Sequence, residues 1–222
     1  MGMQHSLNVL KKDKRFAALI KKHGAPELKR GKNLYQALVR SIVYQQLSGR
    51  AAGTIYARFV ALFNDPKKPS SKRQSKPKFP KPEEVSNMSF VKLRGAGLSG
   101  QKLSYIYDLS TKFVDGTIKQ KKLLTMSTEE VVAHLTQVKG VGVWTVHMLQ
   151  IFTLGRPDVL PVGDLGVRKG FQKFFKLKDL PTPKQMEELA KPWRAHASAA
   201  SWYMWRVADE DKIIKKASKK KK

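Results

Sequence analysis

The chain has 222 residues, 41% of them apolar, enough for one large domain or two small ones with a real core. Its 44 Lys+Arg against 17 Asp+Glu give a formal charge of +27, which favours nucleic acid over an anionic membrane surface as partner. The absence of cysteine excludes disulfides, a cysteine-held iron–sulfur cluster and a thiolate zinc site, and the five histidines (His5, His23, His134, His147 and His196) form no H-x-x-x-H pair.

No apolar run approaches the roughly 18–20 residues of a membrane span, and no signal-peptide pattern opens the chain, so the expectation is an intracellular protein off the membrane. Leu7, Val9, Leu10, Phe16, Leu19 and Ile20 mark a helix over 6–22, broken by lysines. Leu34, Leu38, Ile42 and Val43 repeat the pattern over 33–47, which stops near Ser48-Gly49, and Ile55, Phe59 and Leu62 resume it over 51–63. Residues 66–82 hold seven Lys/Arg and five Pro, which forbids a packed core and predicts a mobile basic loop. Phe90–Leu93 then lead to a GAGLSG turn and a helix over 101–115. Ser127 with Glu130 three residues on is a capping box that opens a helix over 128–136. Further helices are predicted over 143–154, 165–176, 183–192 and 195–208, and the Lys-rich tail 212–222 reads as a second solvated, disordered charge run. No longer segment alternates at period two, so the fold class is all-α.

Between helices 128–136 and 143–154 stand Gly140 and Gly142, a tight helix–hairpin–helix turn. Glycine there permits positive φ and lets the backbone approach a flat partner with no Cβ in the way. The first amides of the following helix point outward, where a phosphate oxygen can accept from them. A bare G-V-G would be an ordinary turn; in a basic, all-helical chain it reads as a sequence-independent grip on a DNA backbone. Asp164, 22 residues after Gly142 in LPVGDLGVRKGF, precedes a helix. N-capping alone would explain it, and an N-cap also favours the ionised carboxylate that chemistry on a cationic sugar needs.

The hairpin L-x-x-V-x-G-V-G-x-W-T, followed by P-x-x-D, resembles the helix–hairpin–helix superfamily of base-excision DNA glycosylases, and within it the 3-methyladenine DNA glycosylase II (alkylpurine) branch. The likeness runs from about Leu34 to Ala208, interrupted by the basic loop, and takes in SIVYQQLSGRAA (41–52), LRGAGLSGQKLSYI (93–106) and KPWRAHASAASWYMWR (191–206). The resemblance implies a single glycosylase domain over 1–222, made of two helical subdomains with a cleft that receives a flipped nucleotide. It assigns Asp164 as the catalytic aspartate. Gly140, Gly142 and the amides of Val143 and Thr145 match the phosphate grip, and the carbonyls of Thr136, Val138 and Gly140 match a sodium or potassium site. Trp144 and Trp202 match walls of the base pocket, with Met148 where a relative has tyrosine and stacks more strongly. Gln46 falls where the family inserts a wedge into the gap left by the flipped base, Ser48 lies beside it in the minor groove, and Lys102 and Arg194 are phosphate-holding or solvated. The extra N-terminal β-domain of some members has no counterpart.

The implied activity is hydrolytic removal of alkylated purines (3-methyladenine or 7-methylguanine) from double-stranded DNA by a monomer, with no required cofactor. The protein would sit in the nucleus of a eukaryote or the nucleoid of a bacterium. Asp164 would either stabilise the oxocarbenium-like sugar or orient the attacking water. In bifunctional glycosylase/lyases a lysine stands two residues after the second hairpin glycine. Here that position is Trp144, and neither Lys139 nor Lys169 replaces it, so no lyase activity is expected. The alternative from another class is a non-catalytic DNA-binding or lesion-sensing protein, which leaves Asp164 and the tryptophans only capping and packing to do.

Overall fold

The structure, a computed structural model, describes residues 3–28, 30–31, 33–64 and 77–219, with side chains as far as 210. Among the described residues every regular element is helical. In chain order these are α1 (Met3–Leu10), α2 (Lys14–His23), α3 (Leu34–Tyr44), α4 (Gly49–Ala61), α5 (Pro82–Ser86), α6 (Phe90–Gly95), α7 (Gly100–Val114), α8 (Gln120–Leu123), α9 (Thr128–Leu135) and α10 (Val143–Leu149). A π-helical turn (Gln150–Leu154) follows, then α11 (Leu165–Phe174), α12 (Pro183–Ala190), a 3-10 turn (Lys191–His196) and α13 (Ala197–Lys219). No helix among the described residues is long and apolar enough to cross a membrane.

The chain divides into two compact units, one of residues 1–30 with 150–222 and the other of residues 31–149. In the first, Phe16 of α2 packs its ring on Phe174, Trp193 and Tyr203. Leu10, Phe171 and Met204 complete a buried cluster with them. α11 crosses α13 closely because Gly170 has no side chain; a Cβ there would run into the Met204 carbonyl. In the second unit, α3 packs against α4, α7 and α10. Leu34, Leu38 and Ile42, with Tyr35, Val39 and Val43, recur at four-residue spacing and are all buried.

Three expectations are corrected. The helix predicted over 6–22 is two, because Asp13 folds its carboxylate onto the Arg15 amide (2.8 Å) and caps α2, which ends the first helix despite a continuous apolar pattern. The tail does not begin as a disordered run: α13 continues through Lys219. Once Ala197–Val207 is helical, each further residue adds one hydrogen bond, and Lys, Ala and Ile do not break a helix. Part of the basic loop is pinned. Asn64 donates to the Lys78 carbonyl (3.1 Å) and accepts the Lys78 amide (3.0 Å), Pro80 is buried, and Phe79 packs against Tyr35, Tyr56 and Phe59. Residues 66–76 of that loop and 220–222 of the tail lie outside the described residues.

Candidate functional site

In the second unit, buried Val138 and Val141 draw the hairpin onto the helices, and the Val141 amide donates to the Val138 carbonyl (3.0 Å). The two glycines stand there for different reasons. Gly140 has φ +77°, and a Cβ would overlap the Tyr105 ring. Gly142 has no positive φ, and a Cβ would meet nothing within 4 Å, so that backbone is open. The first bond of α10 runs from the Val146 amide to the Gly142 carbonyl (3.1 Å). The amides of Val143, Trp144 and Thr145 therefore precede the helical ladder, where a helix lacks internal acceptors. Val143 and Trp144 are exposed, Thr145 and Met148 half-buried, and Trp144 and Met148, four residues apart, share one face of α10.

The hairpin is anchored on both sides. The Asp108 carboxylate accepts the Lys139 amide (2.9 Å) and pairs with the Lys112 ammonium (2.6 Å), while the Gln45 side-chain amide donates to the Gly140 carbonyl (2.7 Å). Burial alone would raise the Asp108 pKa, but these donors outweigh it and hold the carboxyl below its ordinary value. Lys102, expected at a phosphate or in solvent, serves as a brace: its ammonium donates to the carbonyls of Val43 and Gln45, both at 2.7 Å, satisfying the C-terminal end of α3. Burial lowers its pKa. Next in the chain, Gln46 is exposed with φ +55°, and exposed Ser48 caps α4 by accepting the Ala51 amide (3.3 Å). Of the carbonyls of Thr136, Val138 and Gly140, that of Val138 accepts the Val141 amide and that of Gly140 the Gln45 side chain, and each carbonyl oxygen keeps a second lone pair with which it could face a monovalent cation.

In the first unit, Asp164 is the N-cap of α11, in extended backbone conformation. Its Oδ1 accepts the Val167 amide and the Trp205 indole N–H, each at 2.8 Å. Phe152, on the π-helical turn and exposed, stacks on Trp205 with centroids 5.8 Å apart. A Cβ at Gly166 would come within 2.8 Å of Trp205 Cδ1, so glycine admits the indole. Trp202, expected as a pocket wall, packs at the edge of the unit's core with the Arg206 guanidinium 4.4 Å above its ring. Three residues along a helix turn a side chain by about 60°, and it is Trp205 that meets the aspartate. Arg194 donates to the Asp158 carbonyl, and Lys169 lies exposed on α11.

This unit thus brings Asp164 together with Trp205 and Phe152, neither of which sequence reasoning selected. The hairpin, Gln46, Ser48, Trp144 and Met148 belong to the other unit. The signal for Trp205 was present in W-Y-M-W, two indoles near the end of the last motif, but only helical phase decides between them. For Gln45 and Asp108 no local signal exists, since their partners lie 95 and 31 residues away.

The family described as "HhH-GPD superfamily base excision DNA repair protein" matches residues 39–195. The chain is 33% identical over 199 residues to DNA-3-methyladenine glycosylase 1 of Schizosaccharomyces pombe, covering 88% of this chain and 81% of that protein. Among solved structures, a DNA-3-methyladenine glycosidase from Bacillus halodurans superposes with a TM-score of 0.80 at 31% identity, over 92% of this chain and 89% of that one. The S. pombe 3-methyladenine DNA glycosylase in complex with abasic DNA superposes with a TM-score of 0.71 at 30% identity, over 91% and 95% respectively.

Proposed function

The chain belongs to the HhH-GPD superfamily of base excision DNA repair proteins, and on that premise we propose that it hydrolyses the N-glycosidic bond of alkylated purines in double-stranded DNA, leaving an abasic site. The observation that carries this reading is the anchored carboxylate of Asp164. Capping alone needs only the Val167 amide; the second donor, from Trp205, fixes the carboxylate beside aromatic surface. The two bonds at Oδ1 fix the orientation in which the carboxylate would meet a sugar or a water.

The glycosidic bond is reached only after the nucleotide rotates out of the duplex. The hairpin of Gly140, Gly142 and the amides of Val143 and Thr145 grips phosphate, Gln46 fills the gap in the stack, and Ser48 flanks it. N3- and N7-alkylated purines carry positive charge, so they leave with little help from a general acid and need no redox or metal cofactor. Phe152 and Trp205 offer faces on which such a base stacks, a contact worth about 0.5–2 kcal/mol depending on desolvation. In the other unit, Trp144 and Met148 present apolar surface on one face of α10. Asp164 stabilises the oxocarbenium-like sugar or orients the water, in surroundings where electrostatic terms grow as water is excluded. No amine stands at position 144, so the enzyme is monofunctional. One chain carries grip, wedge and acid, so the reading needs no second copy.

The test is incubation of the full chain with methylated duplex DNA. Free methylpurine should appear, the product strand should stay intact until alkali, and borohydride should trap no protein–DNA adduct. Tight binding without base release would make the protein a non-catalytic lesion binder, and a trapped adduct would make it a lyase.

A further inference from the structure

We propose that Gln45 is a positioning residue that sets the wedge turn in register with the phosphate-gripping hairpin, an inference that rests on the reading of Gln46 as the wedge. Gln46 is a non-glycine residue at φ +55°, a left-handed conformation that its neighbours must hold in place. The peptide linking Gln45 to Gln46 is planar, so fixing its carbonyl fixes the frame from which Gln46 projects. That carbonyl accepts from Lys102 at 2.7 Å. The Gln45 side chain, meanwhile, reaches the Gly140 carbonyl at 2.7 Å, across 95 residues of sequence. One residue therefore ties the wedge's own peptide to the middle of the hairpin.

α7 supplies the rest of the frame. Lys102, Tyr105 and Asp108 recur every three residues along one stripe of this helix. The first holds the end of α3 before the wedge. The second lies where a Cβ at Gly140 would be, its hydroxyl accepting from Gln101 (2.7 Å). The third takes the Lys139 amide. Wedge turn and hairpin hang from the same stripe, and Gln45 closes the span between them. A wedge acts only if it enters the stack while the flanking phosphates are held, so their separation decides whether the two work together.

The test uses the full chain and a duplex bearing a stable abasic analogue opposite 2-aminopurine, whose fluorescence reports side-chain insertion without any chemistry. Gln45→Met keeps the length and removes the donor. It should slow insertion about five- to tenfold, the scale of a single hydrogen bond, while affinity for undamaged duplex and the melting temperature hold. In a Gln46→Ala background the same substitution should change nothing further. Lys102→Met, acting on the other end of Gln45, should slow insertion in the same way and likewise add nothing in the Gln46→Ala background. Its melting temperature should fall, because two carbonyls at the end of α3 lose their donor. It serves if Gln45→Met fails to fold. Equal slowing in both backgrounds, or none in either, overturns the coupling. Because the probe needs no base release, a failure of the glycosylase reading would appear in the excision assay alone.

Discussion

Asp164 has two hydrogen-bond donors on one oxygen, and they separate its structural task from its chemical one. Asp164→Asn retains a carbonyl oxygen for the Val167 amide, so α11 keeps its cap and the fold survives; the negative charge on which the proposed chemistry depends is gone. Base release should fall by orders of magnitude while DNA binding persists, and near wild-type excision by the folded variant would remove Asp164 from the mechanism. Trp205→Phe is the milder companion. It preserves an aromatic face against Phe152 but removes the indole N–H, and should cost about 1–2 kcal/mol of transition-state stabilisation, or roughly tenfold in single-turnover rate. An unchanged rate would mean that the Val167 amide alone orients the carboxylate. The capping position of the aspartate was legible in its place just before a helix. Its indole partner was not, because two tryptophans three residues apart look alike in sequence, and only the phase of α13 tells which one turns to α11.

At the scale of elements, the hairpin distinguishes glycine as a conformational necessity from glycine as an absence of bulk. Gly140→Ala forces a Cβ into Tyr105 at a positive φ, so the turn must move; the cost should be about 1–3 kcal/mol of stability. Gly142→Ala meets open space and should leave the melting temperature unchanged; on the proposed reading, in which this backbone approaches phosphate, it should also weaken DNA affinity. Thermal melting read against duplex affinity separates the two, and loss of stability in both variants would reduce the hairpin to a packed turn. Caps made most elements legible: the Ser127–Glu130 box opens α9, and Asp164 opens α11. What escaped were features with no local signature. The π-helical turn at Gln150–Leu154, which presents Phe152, interrupts a segment that reads as one continuous helix. Lys102 looked like a surface cation until its two carbonyl partners, 59 and 57 residues away, were located.

For the whole molecule, the surplus of charge and the site of chemistry are separable. The five Lys/Arg of 66–76 and the seven of 212–222 carry much of it; without them the formal charge drops from +27 to +15, still a basic protein. Counterion release makes such residues visible as the slope of log affinity against log salt. Deleting 66–76 keeps Asn64, Lys78 and Phe79, so the clamp that closes the loop base can re-form over a short turn. Deleting 66–82 also removes Phe79 and Pro80 from beside Tyr35, Tyr56 and Phe59, and should lower the melting temperature. The shorter deletion should flatten the salt slope by up to about 0.9 for each DNA phosphate that the loop no longer neutralises. Single-turnover excision at saturating enzyme should stay near wild type, since hairpin, wedge and Asp164 are untouched. If the shorter deletion instead abolished excision at saturation while the melting temperature held, the loop would be setting the lesion in register, and the hairpin would no longer suffice as the grip.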